Sequence, residues 1–372
     1  MKLQPLPKLQ SITKLSPTLF AILKQCQLQA ALSQARAQRT TRSSTVALLG
    51  IIAHRVLEKT RAVSKNSEDL RIQAEAIWDK TVEQMEEDLQ SSPLDKYLLP
   101  INKWKKYYLQ QEYTICRYKE IALSRGISET QVVARERKFD NVTNGFTGKP
   151  DLILRKENGL VIIDYKSTEL SDDLENREKK IESWQQQILF YASLVKKEFG
   201  EWPVDGKIKL LNKEVISIPI DPQKVNALSA EAQTLKENYN AKVEMGVSHS
   251  QLAQYSVDNC SFCEFKGSCD TFWRKNPQPI PGTDDYGCLS GEILKLVGGA
   301  NNRYSIVITS EKSDGHSQKW QISNLSAEQF GNLGELERGT FVRLLDFKIE
   351  SDDSYRAKPT RNSVIWELPR SN

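Results

Sequence analysis

Two apolar segments on either side of Asn158-Gly159 constrain the fold more than any other feature of the sequence. Asn-Gly strongly favours a two-residue hairpin turn, because both central positions of that turn take positive φ. Residues 149–156 and 160–167 have the composition of strands. We therefore expect an antiparallel hairpin whose turn is centred on Asn158-Gly159.

This expected register places residue 151 opposite 166 and 153 opposite 164. Side chains alternate between the two faces of a strand, so Asp151, Asp164 and Lys166 are expected on one face, within reach of each other. Two carboxylates and one ammonium group among apolar residues are costly to bury unless a cation lies between the acids. The pattern therefore predicts a divalent metal site.

The alternative is an exposed hairpin with a cross-strand ion pair. The unbroken apolar run of residues 160–163 argues against it, because such a run is typical of a strand covered on both faces.

Composition sets only broad limits on function. The chain has 372 residues, 39% hydrophobic and 27% charged, and a net charge of +4, which is ordinary for a globular protein and only mildly basic. This balance does not by itself indicate nucleic-acid binding, although a local basic groove remains compatible with it. The longest apolar stretch, residues 46–53, is too short to span a membrane. With no apolar signal segment near the start, a cytoplasmic location is expected.

The chain divides at a proline-rich linker, residues 276–287. Before it, residues 1–275 are expected to form an α/β domain, a small mixed sheet between helices. After it, residues 288–372 are expected to form an all-β barrel, most simply an OB-fold that could hold single strands. A capping or protein-interaction barrel is the alternative. The expected helices are 16–40, 46–63, 66–90, 174–198 and 221–243; the expected strands are 131–139, 149–156, 160–167, a hairpin at 207–219, and 289–297, 303–310, 317–323, 340–348 and 362–367.

Residues 100–115 mix lysines with aromatic residues. The segment fits either a helix with a solvated basic face or a surface on which a nucleic-acid strand stacks.

The cysteines indicate a second metal centre. Cys260, Cys263 and Cys269 lie within ten residues, and a C-x-x-C pattern in an intracellular chain favours metal binding over disulfides. A fourth ligand must come from elsewhere. Cys116 and Cys288 are expected to be ordinary cysteines, with Cys288 as a fallback ligand.

These motifs together resemble the PD-(D/E)XK nuclease superfamily, in particular its RecB-like iron–sulfur branch. Pro150-Asp151 followed by Asp164-Tyr165-Lys166 resembles the signature itself. The resemblance covers roughly residues 11–270 and includes four further motifs in the expected order: Ser16-Pro17-Thr18 on a helix carrying Cys26, the segment around His54, Gln187 with Tyr191, and the terminal cysteines.

The resemblance implies roles for these residues. Asp151, Asp164, the carbonyl of Tyr165 and His54 would hold Mg²⁺ or Mn²⁺, and Lys166 would position or deprotonate the attacking water. Gln187 and Tyr191 would orient the lysine strand or contact DNA. Glu136, on the preceding strand, would add an acid near the metals. Cys26 would complete a structural [4Fe–4S] cluster with Cys260, Cys263 and Cys269, with zinc as the less favoured occupant.

The function implied is a metal-dependent DNA nuclease acting on single strands or ends, an exonuclease more than an endonuclease. Similar nucleases work with helicases or CRISPR adaptation machinery in repair, recombination or defence. The sequence has no Gly-x-x-x-x-Gly-Lys-Ser/Thr phosphate loop, so strand separation would come from a partner. The alternatives are a non-catalytic DNA-binding or scaffold subunit of a helicase–nuclease complex and a cluster-based redox sensor.

Overall fold

The computed structural model describes residues 1–60, 66–123, 132–168, 170, 173–210, 212–277, 279–281, 283, 285–311, 317–331, 333–351 and 354–369. Helices α1–α11 cover Pro17–Gln25, Gln27–Gln34, Thr45–Glu58, Ser67–Gln90, Tyr107–Leu123, Leu174–Phe199, Pro222–Glu244, His249–Leu252, Val257–Ser261, Asp270–Lys275 and Ala327–Phe330. Strands β1–β13 cover Val132–Arg135, Phe139–Asn141, Phe146–Gly148, Leu152–Lys156, Gly159–Lys166, Asp205–Leu210, Val215–Pro219, Tyr286–Gly298, Arg303–Glu311, Ser317–Ser326, Phe341–Ile349, Arg356–Lys358 and Val364–Glu367. Within these ranges, no helix combines the length and the apolar character needed to cross a membrane.

A five-stranded mixed sheet forms the centre of the first part of the chain, in the order β1-β4-β5-β6-β7. β5 pairs antiparallel with β4 and parallel with β6. The buried face of β5 packs under α6, and α1, α2 and α7 extend the same apolar core. Helices α3, α4 and α5 form a separate core centred on Trp78 and Tyr118. This arrangement confirms the expected mixed α/β architecture with helices flanking a sheet.

The hairpin of β4 and β5 has a different register from the expected one. Lys156 pairs with Gly159, so the turn residues are Glu157 and Asn158. Gly159 has φ 129° and begins β5, where a Cβ atom would lie 2.8 Å from Val204. Glycine readily takes this positive φ without a Cβ atom, so Gly159 lies in β5 and not in the turn. The strand pairing is therefore shifted by two residues. A two-residue shift preserves the faces and brings Asp151 opposite Asp164, instead of opposite Lys166.

The expected helix over residues 16–40 is interrupted at Cys26. Its backbone is extended, with φ −159° and ψ 112°, and it both ends α1 and begins α2. The other long helices match expectation closely, except that the second ends at Glu58, before residues 59 and 60; its expected residues 61–63 lie outside the described residues. In residues 100–115, Trp104 and Tyr107 are buried in the core of α3–α5, whereas Tyr108 is exposed.

The last quarter of the chain forms a six-stranded sheet, ordered β12-β10-β9-β8-β11-β13. β12 also pairs with β11, and β12 itself was missed by the sequence analysis. Residues 278, 282 and 284 of the predicted linker lie outside the described residues. An isolated bridge joins Lys2 to Glu367, so the first residues of the chain lie beside β13.

Candidate active site

The site is built where β4 and β5 meet. Asp151 directly precedes β4, and its Oδ2 atom accepts a hydrogen bond of 2.6 Å from the backbone N–H of Tyr165. Asp164 is almost fully buried on β5. Burial, followed by the charge of Asp164, raises the pKa of Asp151 well above its ordinary value. Two carboxylates are thus held so close together that ionising both is unfavourable.

Lys166 links this acid pair to α6. Its Nζ lies 2.7 Å from Asp164 Oδ2 and donates a hydrogen bond of 2.6 Å to Gln187 Oε1. Gln187 Nε2 in turn lies 3.0 Å from the hydroxyl of Tyr191, four residues along the helix. Burial raises the pKa of Tyr191, so its hydroxyl stays protonated. The amide of Gln187 therefore fixes the ammonium group beside the acids.

Helix α3 brings His54 to the same place. Gly50, one turn earlier, lies against Ser167 at the end of β5, and a Cβ atom there would be 2.5 Å from Ser167 Oγ. The glycine thus lets α3 approach the strand end closely. His54 lines a cavity with Asp151 and Tyr165. Burial lowers the pKa of His54, so the imidazole is neutral, the form that binds metals.

Lys149, outside the predicted set, lies beside the same cavity and contacts two acids that line it. Lys149 Nζ lies 2.7 Å from Glu136 Oε2 and 3.4 Å from Glu58 Oε1. Glu136 is at the bend after β1, with φ 46°, instead of within a strand as expected. Glu58 and Arg135 also line the cavity. Lys149 directly precedes the Pro150-Asp151 motif, a position that could have drawn attention to it.

A divalent cation at this site would need several oxygen or nitrogen ligands from the protein. Across the described part of the chain, no three or more His, Cys, Asp or Glu side chains are grouped as they would be around a metal ion. However, Asp164 Oδ2 is buried, and among the described residues its one ion-pair contact is with Lys166 Nζ, 2.7 Å away, without hydrogen-bond geometry. Oxygen ligands with such spare capacity, beside a second carboxylate, are chemically suited to Mg²⁺ or Mn²⁺. The residues therefore fit a cation.

The fold brings together the four cysteines that were predicted to bind a cluster. In sequence these cysteines are far from Asp151 and Asp164. Cys26, Cys260, Cys263 and Cys269 line one cavity. Burial raises the pKa of Cys263 to about 12 and also raises those of Cys260 and Cys269. Uncharged thiols would be the stable form without a cation.

Backbone amides point at two of these sulfurs. Gln254 N lies 3.5 Å from Cys26 Sγ, and Phe272 N lies 3.4 Å from Cys269 Sγ. Such N–H groups stabilise thiolates and tune iron–sulfur clusters. The extended backbone of Cys26 is what separates α1 from α2 at this cavity. The four described thiols line one cavity and have the chemistry of a four-thiolate centre, although they are not grouped as ligands around an ion; Cys116 and Cys288 are not among the lining residues.

The cysteine segment is also held by the C-terminal sheet. The buried Lys266 Nζ lies 2.6 Å from Asp346 Oδ1 on β11. Arg343, on the same strand, donates to the carbonyl of Gly267 at 2.9 Å and to Asp270 at 3.0 Å. These contacts connect the two sheets through the cysteine loop.

Comparison with known proteins agrees with this geometry. No curated protein matches the chain. A family model of the PD-(D/E)XK nuclease superfamily matches residues 14–270, which is well over half of the chain and includes the acid pair, Lys166 and the cysteines. By this match, the chain belongs to the PD-(D/E)XK nuclease superfamily.

Proposed function

We propose that the protein is a metal-dependent DNA nuclease that hydrolyses phosphodiester bonds in single strands or at DNA ends. The observation that carries the proposal is the buried pair Asp151 and Asp164, with Lys166 fixed between Asp164 and Gln187. Burial of this arrangement is unfavourable without a cation, and membership of a nuclease superfamily supplies the chemistry.

Asp151 and Asp164 would hold the metal, with His54 and the carbonyl of Tyr165 completing the site. PD-(D/E)XK nucleases typically use Mg²⁺ or Mn²⁺, and the imidazole shifts the preference toward Mn²⁺. When bound, the metal lowers the pKa of a coordinated water and neutralises charge on the phosphate. Lys166 orients the water or stabilises the pentavalent phosphate. Gln187 keeps Lys166 in place, and Tyr191 keeps Gln187 in its rotamer.

The test is cleavage of DNA labelled at one end, single-stranded or duplex, with Mg²⁺ or Mn²⁺. Wild-type protein should cleave, and Asp164→Asn should reduce the cleavage rate by at least about 10²-fold. Asp140→Asn should leave the rate unchanged, because Asp140 is exposed on β2 and pairs with Lys14. The size of the labelled products distinguishes exonuclease from endonuclease action, because an exonuclease that starts at the labelled end releases the label on the shortest products and an endonuclease releases it on longer fragments. DNA binding without cleavage by wild type would instead favour a non-catalytic subunit.

The cysteine cavity supports a structural [4Fe–4S] cluster bound by Cys26, Cys260, Cys263 and Cys269. Anaerobically purified protein is expected to contain iron and sulfide and to absorb visible light, and Cys263→Ser should lose both. Cys116→Ser is the matched control, since Cys116 lies on α5 away from the cavity. Stoichiometric zinc without iron would show that the four cysteines form a zinc site and not a cluster.

We also propose that the C-terminal sheet is an OB-like barrel in a domain of its own, residues 288–372.

A further inference from the structure

Lys149 connects two elements that form walls of the active-site cavity. Its Nζ lies 2.7 Å from Glu136 Oε2, at the bend after β1, and 3.4 Å from Glu58 Oε1, at the end of α3. Both glutamates line the cavity, together with His54 and Asp151. Because the lysine side chain is about half exposed, these ion pairs contribute little to the stability of the fold. Their effect is on the position of α3 relative to the strands.

Glu136 holds the segment of chain that carries the first acid of the pair. Its carboxylate contacts Lys149, and its backbone N–H donates a hydrogen bond of 3.0 Å to the carbonyl of Asp151. Between these two residues lies Pro150, whose ring fixes φ. Residues 149–151 are therefore bound at both ends to one residue of the neighbouring bend, and they have little freedom to move on this side of the cavity.

Helix α3 contacts the same hairpin on both sides of its histidine. Gly50, His54 and Glu58 are spaced by four residues, so they share one face of the helix. Gly50 lies against Ser167 at the end of β5, and Glu58 contacts Lys149 ahead of β4. The imidazole lies one turn from each of these contacts. The position of His54 at the cavity thus depends on both.

We propose that Lys149 is a positioning residue that fixes His54 relative to Asp151, because it holds Glu58, and with it α3, against the segment that carries Asp151. This inference rests on the proposed function and names the residue that sets the geometry of its metal site. Metal ligation tolerates deviations of only about 0.2 Å, and removing a group that orients a ligand typically weakens metal affinity by about 10- to 100-fold.

A purely electrostatic role of Lys149 would have the opposite effect on metal binding. An ammonium group beside the site repels a divalent cation, so its removal alone would make the cation bind more tightly. A positioning role predicts weaker binding instead. The sign of the change in affinity therefore separates the two roles.

The experiment measures Mn²⁺ binding to the full-length protein without DNA, from the free-Mn²⁺ signal in electron paramagnetic resonance. Binding that Asp164→Asn abolishes is assigned to this site, and thermal unfolding checks that each variant is folded. Lys149→Gln should weaken this binding by about 10-fold, and Lys149→Arg should recover most of it, since arginine can still contact both glutamates. Lys358→Gln is the matched control and should keep the wild-type affinity. Lys358 is about as exposed as Lys149, and it pairs with Glu350 in the C-terminal sheet region.

A second set of variants tests whether Lys149 acts through the imidazole. In protein that carries His54→Ala, adding Lys149→Gln should change the Mn²⁺ affinity by less than about 2-fold, because the group that Lys149 positions is already gone. Additive losses, tighter Mn²⁺ binding by Lys149→Gln, or an arginine variant as weak as the glutamine variant would each overturn the inference.

The proposed function is judged separately, from Mn²⁺ binding and DNA cleavage by the wild-type protein. Wild-type protein that binds Mn²⁺ and cleaves DNA, with additive losses in the variants, would reject the role of Lys149 alone. Wild-type protein that neither binds Mn²⁺ nor cleaves DNA would reject the metal site and the positioning role together.

Discussion

At the scale of single residues, the position of Lys166 depends on one amide. Its ammonium group contacts a buried carboxylate on its own strand and Gln187 on the helix above. A lysine side chain has several rotatable bonds, and neither its charge nor its strand fixes the end of it. Catalysis by proximity requires that the end be fixed. Gln187 is therefore the residue on which the geometry of the proposed site depends.

We expect Gln187→Ala to lower kcat by about 10- to 100-fold with a smaller effect on KM, because a hydrogen bond to a charged group contributes about 1.5–3 kcal/mol. Steady-state cleavage rates with Mn²⁺ measure this. Gln185→Ala is the control, since residues two apart on a helix do not share a face. A change confined to KM would show that Gln187 contacts substrate and does not position Lys166.

The two cysteines outside the cavity should differ in reactivity. Burial raises the pKa of Cys288 to about 11, whereas Cys116 is partly exposed on α5. The thiolate is the nucleophile, so iodoacetamide at about pH 8 should modify Cys116 in native protein and leave Cys288 unmodified. The rate at which iodoacetamide modifies Cys288 should rise as the pH approaches 11. Mass spectrometry of the peptides, with urea-unfolded protein as the reference, checks this; equal native rates would contradict it.

At the scale of elements, a bulge in β11 connects the C-terminal sheet to the cysteine loop. Asp346 has φ 60° at an irregularity in the pairing with β8. The bulge directs its carboxylate to Lys266, and its carbonyl accepts hydrogen bonds from Thr360 and Ser363. A strand irregularity is thus used to place one charge against a buried partner.

We expect Lys266→Met to lower the free energy of unfolding by about 1–3 kcal/mol, because it leaves Asp346 without its cation. Urea denaturation measures this loss. Adding Asp346→Asn should recover part of the stability, since the unpaired charge is then removed. Lys319→Met, at an exposed position of β10, should change stability by less than about 0.5 kcal/mol. Similar losses in both lysine variants would contradict the role of the pair.

The elements also show where sequence reasoning succeeds. Apolar alternation placed Asp151, Asp164 and Lys166 on one face, because faces depend only on parity. The register depended on which residue takes positive φ. Gly159 takes it at the start of β5, where a Cβ atom would lie close to Val204. The break at Cys26 has no signal in helix propensity.

At the scale of the whole molecule, the C-terminal sheet shares an apolar cluster with segments that precede the linker; the cluster includes Leu94, Phe272, Leu345 and Trp366. The indole of Trp366 also donates a hydrogen bond of 2.8 Å to the carbonyl of Thr40. Exposing this cluster would cost both parts apolar burial, about 25 cal/mol per Å². The parts are therefore expected to unfold together.

Differential scanning calorimetry should accordingly give one transition for the full chain, with equal calorimetric and van't Hoff enthalpies. Trp366→Ala should lower the midpoint and broaden or split the transition, because it removes the largest shared side chain. Two separate transitions in the wild-type protein would contradict the expected coupling.

The bridge between Lys2 and Glu367 has a consequence for how the protein is made. Leu3 N donates a hydrogen bond of 2.9 Å to the carbonyl of Glu367, so a segment near the start of the sequence finds its partner strand near the end. Contacts between residues so far apart in sequence form late, and they slow the folding of the chain. During translation, residues 1–3 leave the ribosome long before β13 does. They must therefore wait, unpaired, until β13 has been synthesised.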